Sequence, residues 1–151
     1  MTDEKTLVLV KPDGVQRGLS GEIISRLEKT GLKIIGLKFI KINVETASKH
    51  YQEHVGKPFY NTLVDFITSS PVIAVALQGP NAISIVRKQM GSTNPNDAVP
   101  GSIRGDLGVD IGRNLVHGSA NESDAKRELD IFFSKYDLIE YDRSNDAWIK
   151  E

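Results

Sequence analysis

The sequence predicts an α/β or α+β fold built on a single sheet. Segments typical of strands alternate along the chain with segments typical of helices, as expected for helices packed against a sheet. The 151 residues match the usual size of one domain, and no internal repeat or low-complexity linker divides them. The pattern leaves two arrangements open: a doubly wound parallel sheet, and the split βαβ arrangement of ferredoxin-like proteins.

The first predicted strand covers residues 6–10, a run of β-branched and aliphatic side chains that ends in a K-P-D-G turn at 11–14. Ser20 is a predicted helix cap, and Gly31 marks the end of that helix. Residues 33–42 alternate between apolar and polar side chains. They predict a second strand, with Ile35, Leu37 and Phe39 on one face.

The middle of the chain predicts three helices around a buried strand. Residues 43–54 predict a short helix, and a second begins near Phe59. Residues 72–77 are continuously apolar, which is typical of a central strand covered on both faces. Pro80 suits the first turn of the third helix, which Gly91 ends.

Residues 91–112 show little periodicity and contain five glycines and two prolines. We predict a non-regular loop there, and loops of this length in compact domains are usually functional or disordered. Residues 115–117 predict a short last strand, and Asn121 or Ser123 caps the helix that follows. The polar tail predicts no particular element.

The composition excludes several classes of function. With 19 basic and 20 acidic residues the net charge is −1, so an anion site must be built locally. The absence of cysteine excludes thiol catalysis and cysteine-ligated metal sites. The charged N-terminus is unlike a signal peptide, and no apolar run approaches the roughly 20 residues that span a bilayer. We therefore expect a soluble, cytoplasmic protein.

The common nucleotide-binding fingerprints are missing. Gly56-Lys57 lacks the upstream glycine of a P-loop, and no G-x-G-x-x-G follows the first strand. His50 and His54 stand four residues apart, a spacing that can bind metal on a helix. Because no third ligand is near in the sequence, we interpret this pair as part of a solvated helix face.

The strongest sign of chemistry is His117, one of three histidines, which directly precedes a glycine. An imidazole can act as a nucleophile near neutral pH, and arginines bind phosphate through paired hydrogen bonds. Arg104 and Arg113 lie in the preceding loop. From spacing alone, a buried structural histidine and ordinary surface arginines remain the alternatives.

Further side chains could complete such a site. Lys11 lies at the end of a predicted strand, where α/β sites tend to form, although a surface lysine in a turn is the simpler interpretation. Asn114 precedes His117 by three residues and could orient it or a substrate hydroxyl. Glu128 falls beside the inward face of the last helix, so its carboxylate is either half-exposed or held by His117 or Ser119.

Three segments resemble the nucleoside diphosphate kinase family: residues 7–15 (LVLVKPDGV), 100–106 (PGSIRGD) and 112–119 (GRNLVHGS). They look like its first strand and turn, its nucleotide loop and its active-site signature, in the family's order. The resemblance implies a ferredoxin-like α+β fold, a split βαβ sandwich with a four-stranded antiparallel sheet and helices on its faces. It also implies a single domain over residues 1–151.

The resemblance assigns roles to individual residues. His117 would be the nucleophile, with Glu128 and Ser119 as its hydrogen-bonding support. Beside it would lie Lys11, Tyr51 and Asn114, and of these Lys11 and Asn114 would reach the sugar and phosphate.

For the nucleotide, the resemblance implies a binding loop at about residues 91–114. Phe59 would stack on the base, with Ile111 near its other face. Stacking without hydrogen bonds to the base edge tolerates every base, so broad specificity follows. Three residues would hold the β and terminal phosphates: Arg87, Thr93 and Arg104.

The implied reaction is ping-pong: a nucleoside triphosphate phosphorylates the histidine, and a nucleoside diphosphate then takes the phosphoryl group. Mg²⁺ would be held mainly through the nucleotide phosphates, without dedicated protein ligands. The implied partners are nucleoside di- and triphosphates and further copies of the chain, as a hexamer in preference to a tetramer. Neither a membrane nor nucleic acid is required.

One position departs from the family pattern. After H-G-S the family usually carries aspartate, whereas this chain has Ala120-Asn121. We expect activity to survive, because the groups assigned to the chemistry are present. A ferredoxin-like nucleic-acid-binding module is the alternative, and the net charge of −1 stands against it. A catalytically silent nucleotide-binding scaffold is a third hypothesis, which only Ala120 favours.

Overall fold

The computed structural model describes residues 3–151, which form one four-stranded sheet flanked by helices. The strands are Asp3–Val10 (β1), Lys33–Ile40 (β2), Val72–Pro80 (β3) and Val116–Gly118 (β4). The α-helices are Pro12–Gln16 (α1), Ser20–Glu28 (α2), Val44–His50 (α3), Tyr60–Ile67 (α4), Ala82–Met90 (α5), Ile103–Leu107 (α6) and Glu122–Phe132 (α7). Short 3₁₀ turns occur at Gln52–His54, Pro95–Asp97 and Asp146–Trp148.

All neighbouring strands are antiparallel, in the spatial order β2-β3-β1-β4. This excludes a doubly wound parallel sheet, and the fold is the ferredoxin-like α+β arrangement. The pairing of β4 with β1 sets His117 opposite Leu9, close to the end of β1. The sheet thereby brings His117 near the residues that follow β1.

Apolar side chains cover both faces of the central strands. Along β1, Leu7 and Leu9 lie in a core shared with α3, α4 and α7, whereas Val8 and Val10 lie in a core shared with α2, α5 and α6. Successive side chains of a strand point to opposite faces, so a strand covered on both sides forms a continuous apolar run. The expectation of a buried central strand at 72–77 is confirmed.

The face predicted for the second strand is wrong. Its pairing with β3 shifts within residues 34–36, which is a local irregularity of the β-bulge kind. The bulge interrupts the alternation, so Ile35 is 2% exposed while Leu37 and Phe39 are 53% and 67% exposed. A shift of one residue moves the following side chains to the other face of the sheet.

Two predicted helix starts also differ. Leu19, not Ser20, precedes α2, and no side-chain hydrogen bond caps this helix within the described chain. Pro80 ends β3 instead of opening α5, because Asn81 adopts a φ of 53° and turns the chain between the two elements. Of the two caps predicted for α7, Asn121 and Ser123, the structure has Asn121, whose side chain accepts a hydrogen bond from the Asp124 N–H.

The segment 91–112 is more regular than predicted. It contains α6, whose cap Ser102 accepts a hydrogen bond from the Gly105 N–H, and a 3₁₀ turn at Pro95–Asp97. A helix of five residues is too short to produce an apolar period, so the pattern could not predict it.

The polar tail packs back along the sheet. The Ile139 N–H donates to the Ile35 carbonyl at 2.8 Å, and the Tyr141 hydroxyl donates to the Ile34 carbonyl at 2.6 Å. Across residues 3–151, no helix has the length and apolar character that crossing a bilayer demands.

Candidate active site

The candidate site lies where β1 and β4 meet α3, α7 and the segment 91–114. Lys11 follows β1 directly, His117 lies in β4, and Glu128 lies on the inward face of α7. The sheet register therefore brings together residues that are about a hundred positions apart in the chain.

A buried carboxylate holds His117. Its Nε2 atom lies 2.6 Å from Oε1 of Glu128, and the Ser119 hydroxyl donates to the same oxygen at 3.1 Å. Ser119 also accepts a hydrogen bond from the Leu7 N–H, which ties the group to β1. Burial raises the pKa of Glu128, but its hydrogen bond to His117 and the neighbouring imidazoles hold the net pKa below its usual range. The carboxylate is therefore ionised at neutral pH.

A second imidazole packs against the first. The rings of His50 and His117 meet edge to face with 4.7 Å between centroids, and His50 is only 6% exposed. Burial, more than the nearby charge of His117, lowers the pKa of His50 to about 3, so the ring is neutral. Tyr51 packs beside it, and burial raises the pKa of its phenol to about 12. The phenol is therefore a proton donor at neutral pH.

The two histidines of the predicted pair separate in the structure. Helix α3 ends at His50, which turns inward, whereas His54 lies in the following 3₁₀ turn with its ring 5.3 Å from that of Phe59. The interpretation of His50 as part of a solvated face was therefore wrong. Because α3 ends at His50, the two histidines do not share one helix face.

Lys11, Asn114 and Thr93 form a chain of hydrogen bonds. The Lys11 ammonium donates to Asn114 Oδ1 at 2.6 Å, and Asn114 Nδ2 donates to the Thr93 carbonyl at 3.0 Å. Burial is the main reason that the pKa of Lys11 falls to about 8, and the charges of Arg104 and Arg113 lower it further. The repulsion among these cations is what a bound anion would relieve.

Arg104 is buried and joins three segments of the site. Its guanidinium donates to three backbone carbonyls: those of Gly91 (3.0 Å), Asn114 (3.1 Å) and Val116 (2.7 Å). Burial lowers the pKa of Arg104 to about 10, and the charge of Arg87 adds to this effect. Arg87 is exposed and reaches the Gly118 carbonyl at 3.4 Å. The two arginines predicted at the phosphates are thus close enough for their charges to interact, and Arg104 is buried whereas Arg87 is exposed.

The backbone just before His117 is strained. Leu115 has a φ of 76°, which an L side chain rarely adopts. Its N–H donates to Asp13 Oδ2 at 2.9 Å, and its carbonyl accepts from the Lys11 N–H at 2.9 Å. The K-P-D-G turn therefore anchors the segment that carries His117. The sequence pattern did not predict that Asp13 anchors Leu115. The only available sign was the position of Asp13 in the same turn as Lys11.

Removing this anchor should destabilise the protein. We expect Asp13→Ala to lower the free energy of unfolding by about 1–3 kcal/mol, because the buried N–H of Leu115 loses its acceptor. Asp13→Asn is the matched control, since its amide oxygen can still accept that hydrogen bond, and it should cost clearly less. Chemical denaturation measures both. Equal losses would show that the charge of Asp13, and not the hydrogen bond, is what matters.

Phe59 and Ile111, expected at the base, lie on the surface, 47% and 55% exposed. The ring of His54 lies between Phe59 and Tyr51, with centroid distances of 5.3 Å and 6.2 Å. An exposed aromatic ring at the edge of the site can stack on any base. The role of Ile111 stays a prediction.

Ala120 is exposed at the start of α7 and brings no polar group to the site. Asn121 beside it caps α7 by accepting from the Asp124 N–H at 2.8 Å. The departure from the family pattern therefore removes a carboxylate without disturbing the helix start.

Comparisons with known proteins agree with one another. A family model described as "Nucleoside diphosphate kinase" matches residues 4–138. The nucleoside diphosphate kinase of Desulforamulus reducens is 55% identical over 148 residues, which is 98% of this chain and 99% of that protein. The structure of a halophilic nucleoside diphosphate kinase from Halobacterium salinarum in complex with CDP is 51% identical, with a TM-score of 0.96, over 99% of this chain and 100% of that chain. A transition state mimic of the Borrelia burgdorferi enzyme with bound vanadate and ADP is 38% identical, with a TM-score of 0.91, over 97% of this chain and 96% of that chain.

Proposed function

The chain belongs to the nucleoside diphosphate kinase family, and we propose on this premise that His117 carries the phosphoryl group between two nucleotides. The chain is an enzyme that transfers the terminal phosphoryl group of a nucleoside triphosphate to a nucleoside diphosphate. The observation that supports His117 most strongly is the 2.6 Å contact between its Nε2 atom and Glu128 Oε1.

The hydrogen bond to Glu128 gives the two ring nitrogens of His117 different roles. Nε2–H donates to the carboxylate, so the lone pair stands on Nδ1, and that atom attacks the terminal phosphorus. The bond from Nδ1 to phosphorus forms as the bond from phosphorus to the bridging oxygen breaks, and the electron pair leaves with the nucleoside diphosphate. Glu128 stabilises the positive charge of the phosphorylated ring. A second nucleoside diphosphate then reverses these steps.

Lys11, Arg104 and Arg87 supply the charge compensation that phosphoryl transfer demands. Arg104 uses three N–H groups on backbone carbonyls, so it acts as a fixed charge beside the phosphates. Arg87 is exposed, and together with the Thr93 hydroxyl it binds the β and terminal phosphates in this proposal.

The remaining site residues position the nucleotide and the histidine. Asn114, held by the Lys11 ammonium, reaches the sugar together with that lysine. Tyr51 donates from its protonated phenol beside the histidine. Phe59 stacks on the base, with Ile111 near its other face, so all common bases are accepted. Because the sugar is held mainly through its 3′ hydroxyl in this proposal, ribose and deoxyribose are both accepted.

Mg²⁺ would be held mainly through the phosphates of the nucleotide, and it would supply charge neutralisation there. The donor set supports this arrangement. Within residues 3–151, the cluster of side chains able to hold a metal contains two imidazoles and one carboxylate, whereas Mg²⁺ prefers oxygen ligands.

Two measurements test the proposal. Mixing the protein with ATP and GDP should yield ADP and GTP with ping-pong kinetics. Incubation with γ-labelled ATP alone should leave an acid-labile, base-stable phosphoenzyme. Turnover without a phosphoenzyme would overturn the histidine intermediate, and absence of turnover would favour the silent scaffold.

Lys11 should make the reaction sensitive to alkaline pH. Its pKa is lowered to about 8, so the charged form that binds phosphate is lost as the pH rises through that value. We therefore expect kcat/KM, which reports the free enzyme, to fall above about pH 8. Lys11→Met should lower kcat/KM at neutral pH by roughly 10²-fold and flatten the alkaline decline. A decline that persists in Lys11→Met would belong to another group.

We also propose a homo-oligomer, as a hexamer in preference to a tetramer, in the cytoplasm. Each protomer would be one domain over residues 1–151, with its nucleotide loop at about 91–114. Support comes from the edge strand β2, whose Leu37 and Phe39 are 53% and 67% exposed. An exposed apolar edge strand tends to pair with another chain, so a second copy could bury these side chains. Sedimentation equilibrium is the test, and a mass near the 16.6 kDa of a single chain would contradict the proposal.

A further inference from the structure

We propose that His50, His117 and Glu128 form a binding site for a divalent transition-metal ion such as Zn²⁺, and that its occupation blocks the nucleophile. Each residue offers one ligand atom, and these three atoms lie within 4.8 Å of one another. The site differs from that of Mg²⁺, which the nucleotide carries. The blocking effect rests on the proposed role of His117, whereas metal binding does not.

The chemistry of the three donors selects the ion. Two imidazoles and one carboxylate are a ligand set that zinc uses in sites with an open fourth position. Imidazole nitrogen favours Zn²⁺ and Cu²⁺ over Mg²⁺ and Ca²⁺, which take oxygen ligands. The magnesium of the nucleotide would therefore not compete for this position.

The geometry is close to that of a coordinated ion. Ligand atoms about 2.0–2.1 Å from a tetrahedral zinc ion stand about 3.3 Å from one another. The separations of at most 4.8 Å therefore need to close by rotation of the side chains, while the 2.6 Å contact between His117 and Glu128 opens slightly. The side chain of His117 is 30% exposed and that of Glu128 only 4%, so the ion and its fourth ligand enter from the solvent side of His117.

His50 has no task in the phosphoryl transfer, yet it occupies a buried position beside the nucleophile. It is 6% exposed, and its Nδ1 atom has no hydrogen-bond partner among residues 3–151. Buried polar atoms in proteins are nearly always paired. A buried imidazole whose Nδ1 atom lacks a hydrogen bond, next to a second imidazole and an ionised carboxylate, favours the binding of a metal ion.

A bound ion would stop the chemistry through either nitrogen of His117. If the metal takes Nδ1, it occupies the lone pair that attacks phosphorus. If it takes Nε2, the ring proton moves to Nδ1, and the lone pair on that atom is lost. In both cases the phosphoenzyme cannot form.

Binding is tested on nucleotide-free protein titrated with Zn²⁺ alone by calorimetry. We expect one ion per chain. His50→Phe keeps an aromatic ring and removes one ligand, so the affinity should fall about tenfold or more. His54→Phe is the matched control and should bind as the unmodified protein does. Absence of binding, or equal affinity of His50→Phe and the unmodified protein, would overturn the site.

A second measurement keeps the test valid if His50→Phe does not fold. The electron paramagnetic resonance spectrum of the unmodified protein with Cu²⁺ should show coupling to two imidazole nitrogens. Coupling to one nitrogen or none would overturn the site.

Blocking is tested by loading the protein with Zn²⁺, removing the excess and adding γ-labelled ATP. The phosphoenzyme should be lost in the loaded protein. Stripping the protein with EDTA, removing the chelator and labelling with Mg²⁺ present should restore it, and His50→Phe should resist the zinc treatment. Full labelling of the loaded protein would overturn the blocking effect. Absence of labelling in every sample, including the untreated protein, would instead overturn the proposed nucleophile and leave the calorimetry to decide the metal site.

Discussion

His117→Ala is expected to abolish the phosphoenzyme and to lower kcat/KM by roughly 10⁵-fold or more, because the proposed reaction has no other acceptor for the phosphoryl group. Acid-free quenching of the reaction with γ-labelled ATP measures the first effect, and a coupled assay measures the second. The fold should persist, since the side chain of His117 is 30% exposed and the substitution leaves the apolar side chains of both cores unchanged.

His54→Ala is the control for this experiment. His54 lies in the 3₁₀ turn after α3 and its ring contacts that of Phe59, away from the contact between His117 and Glu128. This variant should still form the phosphoenzyme. Equal labelling of His117→Ala and the unmodified protein would show that another residue carries the phosphoryl group.

Glu128→Gln is expected to lower kcat by roughly 10²- to 10³-fold, with KM changed far less. The amide has the size of the carboxylate, but it can turn its NH₂ group towards Nε2 of His117. That ring nitrogen would then accept, and the proton would move to Nδ1, where the lone pair is needed. Steady-state kinetics would measure kcat and KM separately. A rise in KM with kcat unchanged would mean that Glu128 serves nucleotide binding.

The same variant should change the stability of the protein in acid. The pKa of Glu128 is lowered in the folded state, so its contribution is present above the ordinary carboxyl pKa and is lost as the pH falls through the lowered value. The melting temperature of the unmodified protein should decline over this acidic range, and that of Glu128→Gln should decline less. Parallel curves for the two proteins would show that Glu128 does not carry the effect.

Much of the site could be predicted from the sequence because its chemistry lies in short contiguous segments. The residues around His117, the loop that carries Arg104 and the turn after Lys11 each occupy fewer than ten positions. The sequence also predicted the buried strands β1 and β3 and offered Asn121 as a helix cap. Apolar runs and capping residues depend on neighbours in the chain, so they can be recognised without the fold.

The sequence by itself determined which residue types were available for phosphate chemistry and that helices cover a sheet on both faces. Only the tertiary structure decided what each side chain meets. The bond from Lys11 to Asn114 spans 103 positions and that from Leu115 to Asp13 spans 102, so no local period reports them. The bulge in β2 and the inward turn of His50 follow from packing against other elements, and periodicity within one segment cannot record such contacts.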